Sequence, residues 1–312
     1  MVVFQSGHLF HRSSSIETAS EDSQPRIIDE PIPLHSDDAW SDLVRQGIPA
    51  IAPRFARRFL MPRNRFSQIF LHPPRTARNA TVSSRLSPWL VPIVYPLGHR
   101  IVLPTYFSHI EVLGREHLPA SGPVILAPTH RSRWDAILVP FAAGKHVTGR
   151  HLRFMVTADE VTGVQGWFIK RLGGFPIDTK RPGIASLRHG IELLEAGEML
   201  VIFPEGNIFR EPHIHPLKPG LARLALQAET LKPESNIHIV PIHLQYSDPQ
   251  VPCRTAVRIE IGQPLSVKSY ITGHTKQDAR SLTADLTQSL QKLNDRASGC
   301  TAEASYTAPQ HF

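Results

Sequence analysis

His130 and Asp135 stand five residues apart in the run Pro128-Thr-His-Arg-Ser-Arg-Trp-Asp135. On a continuous helix that spacing turns two side chains roughly 140° apart, so they meet only if a turn lies between them. A strand ending near Ala127 would deliver His130 into a loop, and Asp135 would open the next helix. The carboxylate could then hold one ring nitrogen and leave the other free to take a proton, which makes a general-base dyad. The same residues admit a plainer reading, because Ser132-x-x-Asp135 before the apolar run Ala136-Ile-Leu-Val is also a helix-capping pattern. No second His, Cys or carboxylate has ligand spacing beside His130, which disfavours a metal site. The chain has no G-x-S-x-G, no G-x-x-x-x-G-K-S/T and no G-x-G-x-x-G, which argues against serine-hydrolase, P-loop and dinucleotide chemistry.

A second constellation is Val201-Ile-Phe203-Pro204-Glu205-Gly206-Asn-Ile-Phe-Arg210. Here an apolar strand is stopped by proline and opens through glycine into a polar turn. Glu205 and Arg210 are expected to project beyond the strand end, where α/β folds bind ligands, although an ordinary strand-ending turn has the same composition. Between the two lies Leu172-Gly-Gly174-Phe-Pro-Ile-Asp-Thr-Lys180-Arg181. Its glycines and paired cations suit a phosphate or coenzyme, and a solvated turn explains them equally well.

The elements that must position these residues are legible as alternating periodicities. Short apolar runs at 109–113, 124–127, 153–156, 175–177, 199–203, 237–242 and 256–261 read as strands, and helical spacing follows at 135–143, 185–196 and 219–230. That alternation predicts an α/β fold: a central mixed, largely parallel sheet flanked by helices. A last amphipathic helix is expected near Lys276 to Asn294. The division anticipated is a disordered tail over 1–50, a basic and apolar membrane-interface segment over 51–107, a folded domain over 108–295 and a frayed end over 296–312.

With 312 residues, 41% of them hydrophobic, and only Cys253 and Cys300 as cysteines, the chain can bury a large core without a disulfide framework. Met1 to His8 carry too few apolar residues for a secretory signal, so a reducing compartment is expected. The net charge of +7 is concentrated: Arg54, Arg57, Arg58, Arg63, Arg65, Arg75, Arg78 and Arg85 fall in a stretch with no lysine and no acid. The rest of the chain is close to neutral. This disfavours a nucleic-acid surface and points to a local anionic partner such as phospholipid headgroups. From Leu86 to Gly98 the chain is uncharged, yet these 13 residues fall short of the roughly 20 that cross a bilayer. Pro88, Pro92 and Pro96 would also remove successive helical donors. An interfacial or re-entrant segment is expected, with packing on the folded domain as the alternative.

Taken in order, these blocks resemble those of the glycerolipid acyltransferases of the lysophospholipid acyltransferase family. His130 and Asp135 match the H-x-x-x-x-D block, Gly173 to Lys180 the second, Phe203 to Gly206 the F-P-E-G block and Val240 to Ile242 the V-P-I block, over about 110 to 265. The resemblance implies the family's fold and an O-acyltransferase. In that reading His130 is the base, Asp135 orients it, and Phe203, Pro204, Glu205, Gly206, Arg210, Gly174, Lys180 and Arg181 bind substrate. The donor would be acyl-CoA or an acyl carrier protein, with no separate cofactor, no metal and no nucleic acid. The acceptor implied is 1-acylglycerol-3-phosphate, giving phosphatidate, and the partners are membrane lipids on the cytoplasmic face, bound peripherally or monotopically. Thr129 replaces the family's usual asparagine, Thr179 a frequent arginine, and Asn207 to Arg210 the usual Thr-Arg-Ser. The blocks therefore specify the family more firmly than the acceptor. A lysophospholipid, diacylglycerol or prenyl alcohol acceptor, and a non-catalytic lipid-binding scaffold, remain the alternatives.

Overall fold

The computed structural model describes residues 82–178 and 181–306. The tail over 1–50, the arginines from Arg54 to Arg78, and Thr179 and Lys180 lie outside the described residues.

Among the described residues eight strands form one sheet: β1 (His109–Leu113), β2 (Val124–Pro128), β3 (Leu152–Thr157), β4 (Gly174–Ile177), β5 (Met199–Val201), β6 (His238–Tyr246), β7 (Ala256–Ile261) and β8 (Leu265–Ser266). Their order is β1-β7-β6-β2-β5-β3-β4, with β8 paired to β6. All pairings are parallel except β6 with β7 and β6 with β8. The sheet is thus mixed and largely parallel, as the alternating periodicities predicted.

β2 lies between β5 and β6, and all five of its residues are buried. This is why it reads as an unbroken apolar run: a central parallel strand is covered on both faces. Ile125 and Ala127 point to one core, shared with the helices Ile184–Glu195, Gly220–Leu231 and Thr275–Tyr306. Val124 and Leu126 point to the other, which takes in Leu103, Phe107 and the helix Asp135–Ala143. In chain order the helices are α1 (Val91–Leu97), α2 (Leu103–Tyr106), α3 (Asp135–Ala143), α4 (Lys145–Thr148), α5 (Gly163–Arg171), α6 (Ile184–Glu195), α7 (Gly220–Leu231) and α8 (Thr275–Tyr306). α8 runs well past Asn294 into the stretch expected to fray, because its buried stripe Leu282, Leu286, Leu290 and Leu293 continues to Ala297.

The segment before the sheet departs from expectation. α1, a π-helical turn at Gly98–Val102 and α2 follow one another without a break. Pro92 falls in the first turn of α1, where no amide donor is required, whereas Pro96 and Pro104 lie within the continuous run, on either side of the π-helical turn. Leu90, Val91, Leu103 and Phe107 are buried, whereas Trp89, Ile93, Leu97 and Ile101 are bare. One side of the segment therefore packs on the domain, and the other does not.

On β6, His243 is 2% exposed and neither ring nitrogen has a hydrogen-bond partner among the described residues. Burial, reinforced by the Arg131 charge, pushes its pKa down to about 3 from the usual 6.5. The folded protein therefore holds the neutral ring while the unfolded chain protonates below about pH 6.5. Stability is full above that value and is lost as pH falls toward 3. We predict that between pH 7 and pH 5 the wild type loses about 2 kcal/mol more than His243→Leu, measured by urea unfolding at both pH values. Parallel losses in the two proteins would refute the assignment.

Candidate functional site

The site forms at the carboxyl ends of β2, β5 and β6, the edge where open α/β sheets place ligands. β2 ends at Pro128, and the main-chain amide of Thr129 still bonds the Ile242 carbonyl at 2.9 Å, so His130 leaves the sheet at a fixed height. The loop turns over Ser132 to Trp134, and Asp135 is the first residue of α3. That turn brings His130 Nδ1 to 2.9 Å from Asp135 Oδ2, as the dyad reading requires.

Asp135 is fully buried and its carboxylate is crowded with donors. Oδ2 accepts the main-chain amides of Arg131 at 2.7 Å and Ser132 at 2.8 Å, besides the imidazole, while Oδ1 accepts the Tyr246 hydroxyl. The Ser132 amide bond is the one contact that the capping reading anticipated; the Ser132 hydroxyl accepts the Trp134 amide and α3 has no side-chain cap. Burial and the adjacent carboxylate raise the Tyr246 pKa well above its usual value, which keeps it a donor. With Nδ1–H given to Asp135, Nε2 is the nitrogen left to act as a base. The imidazole stacks on Phe203, with ring centroids 4.0 Å apart.

His130 and Phe203 line a cavity of about 1120 Å³, slightly beyond the usual range of about 300–1,000 Å³ for small-molecule sites. Its walls reach inward to the core residues Leu187 and Leu224 and outward to the bare residues Leu97 and Phe168. A base beside a long apolar cavity suits proton removal from a hydroxyl carried by a lipid.

The family model described as Acyltransferase matches residues 109–245, which takes in His130, Asp135, the F-P-E-G block and the V-P-I block. The chain is 26% identical over 190 residues to a 1-acyl-sn-glycerol-3-phosphate acyltransferase of Bacillus subtilis (strain 168), covering 60% of this chain and 89% of that protein. Residues 109–245 thus carry an acyltransferase domain. A 1-acyl-sn-glycerol-3-phosphate acyltransferase of Streptococcus pneumoniae (strain ATCC BAA-255 / R6) is 27% identical over 149 residues, 46% of this chain and half of that protein. The fold resembles the crystal structure of the 1-acyl-sn-glycerophosphate (LPA) acyltransferase PlsC from Thermotoga maritima, with a TM-score of 0.52 and 16% identity over 67% of this chain and 80% of that one. The chain is an O-acyltransferase.

Not every residue expected at the acyltransferase site faces the cavity. Phe203, Pro204, Gly206 and Gly174 line it. Glu205 does not: its side chain is wholly buried, and Arg131 Nη1 grips both carboxylate oxygens at 3.0 and 2.9 Å. The remaining capacity of Glu205 is taken by the main-chain amides of His130 at 3.0 Å and His215 at 3.1 Å. The expected projection of Glu205 toward a ligand is corrected to a brace behind the base. Arg210 is exposed, bonds Gln250 and is absent from the cavity wall. Arg181 is likewise exposed and outside the wall, with its main-chain amide on Asp178 Oδ1.

Two positioning groups escaped the motif reading. Arg131 lies inside the H-x-x-x-x-D block, and its only signal is a cation next to the expected base. Tyr246 ends β6, four residues beyond the V-P-I block, where a side chain can face the same strand edge. Tyr246→Phe removes one bond to a carboxylate, and we predict a fall of about tenfold in kcat/KM, equal to about 1.4 kcal/mol, with KM little changed. The acidic limb of the pH–rate profile should move as well. An unmoved profile with lowered thermal stability would reduce Tyr246 to a packing role.

Proposed function

We propose that this acyltransferase moves a fatty acyl group from acyl-CoA or an acyl carrier protein to the free hydroxyl of 1-acylglycerol-3-phosphate, giving phosphatidate. The observation that carries the reading is a histidine held at Nδ1 by a buried carboxylate, with its ring opening on a large apolar cavity. That the Bacillus and Streptococcus relatives are 1-acyl-sn-glycerol-3-phosphate acyltransferases supports the acceptor. His130 Nε2 removes the hydroxyl proton as the acceptor oxygen attacks the thioester carbonyl carbon. The new C–O bond forms, the C–S bond breaks, and the imidazolium returns its proton to the departing thiolate. Asp135 stabilises the imidazolium between the two transfers. No acyl-enzyme and no further cofactor enters.

An acceptor without a phosphate monoester, such as diacylglycerol, a neutral-headed lysophospholipid or a prenyl alcohol, is favoured by one observation: Arg210 and Arg181 stand outside the cavity wall. Labelled donors offered with a panel of acceptors, followed by product identification, separate the readings. His130→Ala should lower turnover by on the order of 10² to 10⁴ with thermal stability retained. Near-normal turnover in the folded variant would overturn the base assignment, and thiol release that ignores the acceptor would overturn the transfer.

Among the described residues no helix is long and apolar enough to cross a membrane. The bare stripe Trp89, Ile93, Leu97 and Ile101 recurs every fourth residue, and Val164, Trp167 and Phe168 of α5 are also bare. Trp89 and Trp167 have ring centroids 6.2 Å apart, and the Arg171 guanidinium lies 4.0 Å over the Trp167 ring. Aromatic and aliphatic side chains rimmed by arginine suit the headgroup boundary of a bilayer, so we infer attachment through this ridge. Replacing Trp89, Ile93, Val164 and Trp167, none of which lines the cavity, by serine should abolish flotation with anionic vesicles while activity on a short-chain, water-soluble acceptor persists. Undiminished flotation would move the attachment elsewhere.

A further inference from the structure

Neither Arg210 nor Arg181 lines the cavity, and Lys180 lies outside the described residues. Apart from histidines, the cationic side chains on the wall among the described residues are Arg133 and Lys218. Arg133 is already committed, bonding Glu160 at 2.9 Å. No acidic partner of Lys218 is found among the described residues, and it is exposed.

Its position is tied to the base. The Lys218 main-chain amide donates to the Pro204 carbonyl at 2.8 Å, which anchors it to the loop whose Phe203 stacks on His130. Its side chain then folds across Gly206. A Cβ at Gly206 would stand 2.6 Å from both Lys218 Cε and Nζ, so the ammonium occupies space that any larger residue would claim. Gly206 also has φ +75°, a conformation glycine adopts without strain. Two residues after Lys218, α7 begins at Gly220, with no acid in its first turn and no side-chain cap. Gly220 and Leu221 are part of the cavity wall. An exposed ammonium with no acidic partner among the described residues, on the wall that the carboxylate-free start of α7 also lines, favours an anion.

We propose that Lys218 binds a phosphoryl group brought into the cavity by a substrate, in the role expected of Arg210. The proposal deepens the acyl-transfer reading and rests on it. The group is either the phosphate monoester of the acceptor or a phosphate of the donor, and the experiment distinguishes them.

Full-length wild type, Lys218→Met and Lys218→Arg are assayed with 1-acylglycerol-3-phosphate and with 1-acylglycerol. Each acceptor is paired with acyl-CoA and with an acyl thioester lacking phosphate. Lys218→Met should raise KM at least tenfold for the phosphate-bearing substrate and leave its phosphate-free counterpart within twofold, and Lys218→Arg should recover most of the loss. A loss confined to the acceptor pair assigns the acceptor phosphate, and one confined to the donor pair assigns the donor. Equal losses on every substrate, or no loss on any, would overturn the proposal. A parallel titration with glycerol 3-phosphate, followed by NMR shifts, reads binding without turnover. Binding lost in Lys218→Met supports the site even if the wild type transfers nothing, an outcome that would sink the acyl-transfer reading alone. Binding equal in both proteins would reject the site.

Discussion

The buried ion pair between Arg131 and Glu205 is the contact on which the site depends. Glu205 cannot be left charged in the interior without partners, and its two oxygens gather Arg131 together with the amides of His130 and His215. Arg131 in turn bonds the carbonyls of Phe209 at 3.3 Å and His213 at 3.2 Å. The loops after β2 and β5, which share no regular hydrogen-bond ladder, are thereby locked to each other. Removing one member of such a pair typically costs about 3–5 kcal/mol because the other is stranded. The residue with the greatest leverage over His130 thus never faces the cavity.

Asp135 completes the arrangement from the opposite side. A general base works only if its imidazole is held in one tautomer and one direction, and here both are set by an oxygen that is itself immobilised by two backbone amides. Tyr246 fixes the second oxygen. The dyad is therefore oriented by two neighbouring residues of the same loop and one residue brought in by the sheet. His130 has little freedom to rotate when a substrate enters, which is the geometric condition for efficient proton transfer.

Much of the fold was legible because burial on both faces writes itself into composition. β1 and α3 match their predicted spans, and α6 and α7 lie within one residue of theirs. The dyad was legible for a geometric reason, since five-residue spacing excludes a shared helical face and forces a turn. Periodicity carries no information about loops, and that is where the reading went astray. Phe203 and Gly206 face the cavity while Glu205, between them, turns into the protein. Nothing in a strand-ending Pro-Glu-Gly says which way the carboxylate points until the arginine that claims it is known. The helical form of the segment from Val91 to Tyr106 was missed for a different reason: Pro92 sits at a helix start, where it removes no needed donor, and a π-helical turn separates Pro96 from Pro104.

That segment also links the chemistry to its surroundings. Leu97, Ile137 and Phe168 are each more than a third exposed, and each also lines the cavity. The same side chains form the bare surface and the wall, so the apolar lining has no polar rim where these residues lie. Moving a buried methylene into water costs about 0.8 kcal/mol, and a chain of a dozen methylenes crossing an aqueous gap would meet a barrier on the order of 10 kcal/mol. A continuous apolar path removes most of that barrier. Of the outer stripe, Leu97 lines the cavity and could not be polar without breaking the path, and the inner stripe could not be polar without losing the packing of Leu103 and Phe107 beneath the sheet. One short stretch of chain thus meets two separate demands, which is why its sequence is apolar on both sides and reads like a membrane segment too short to span.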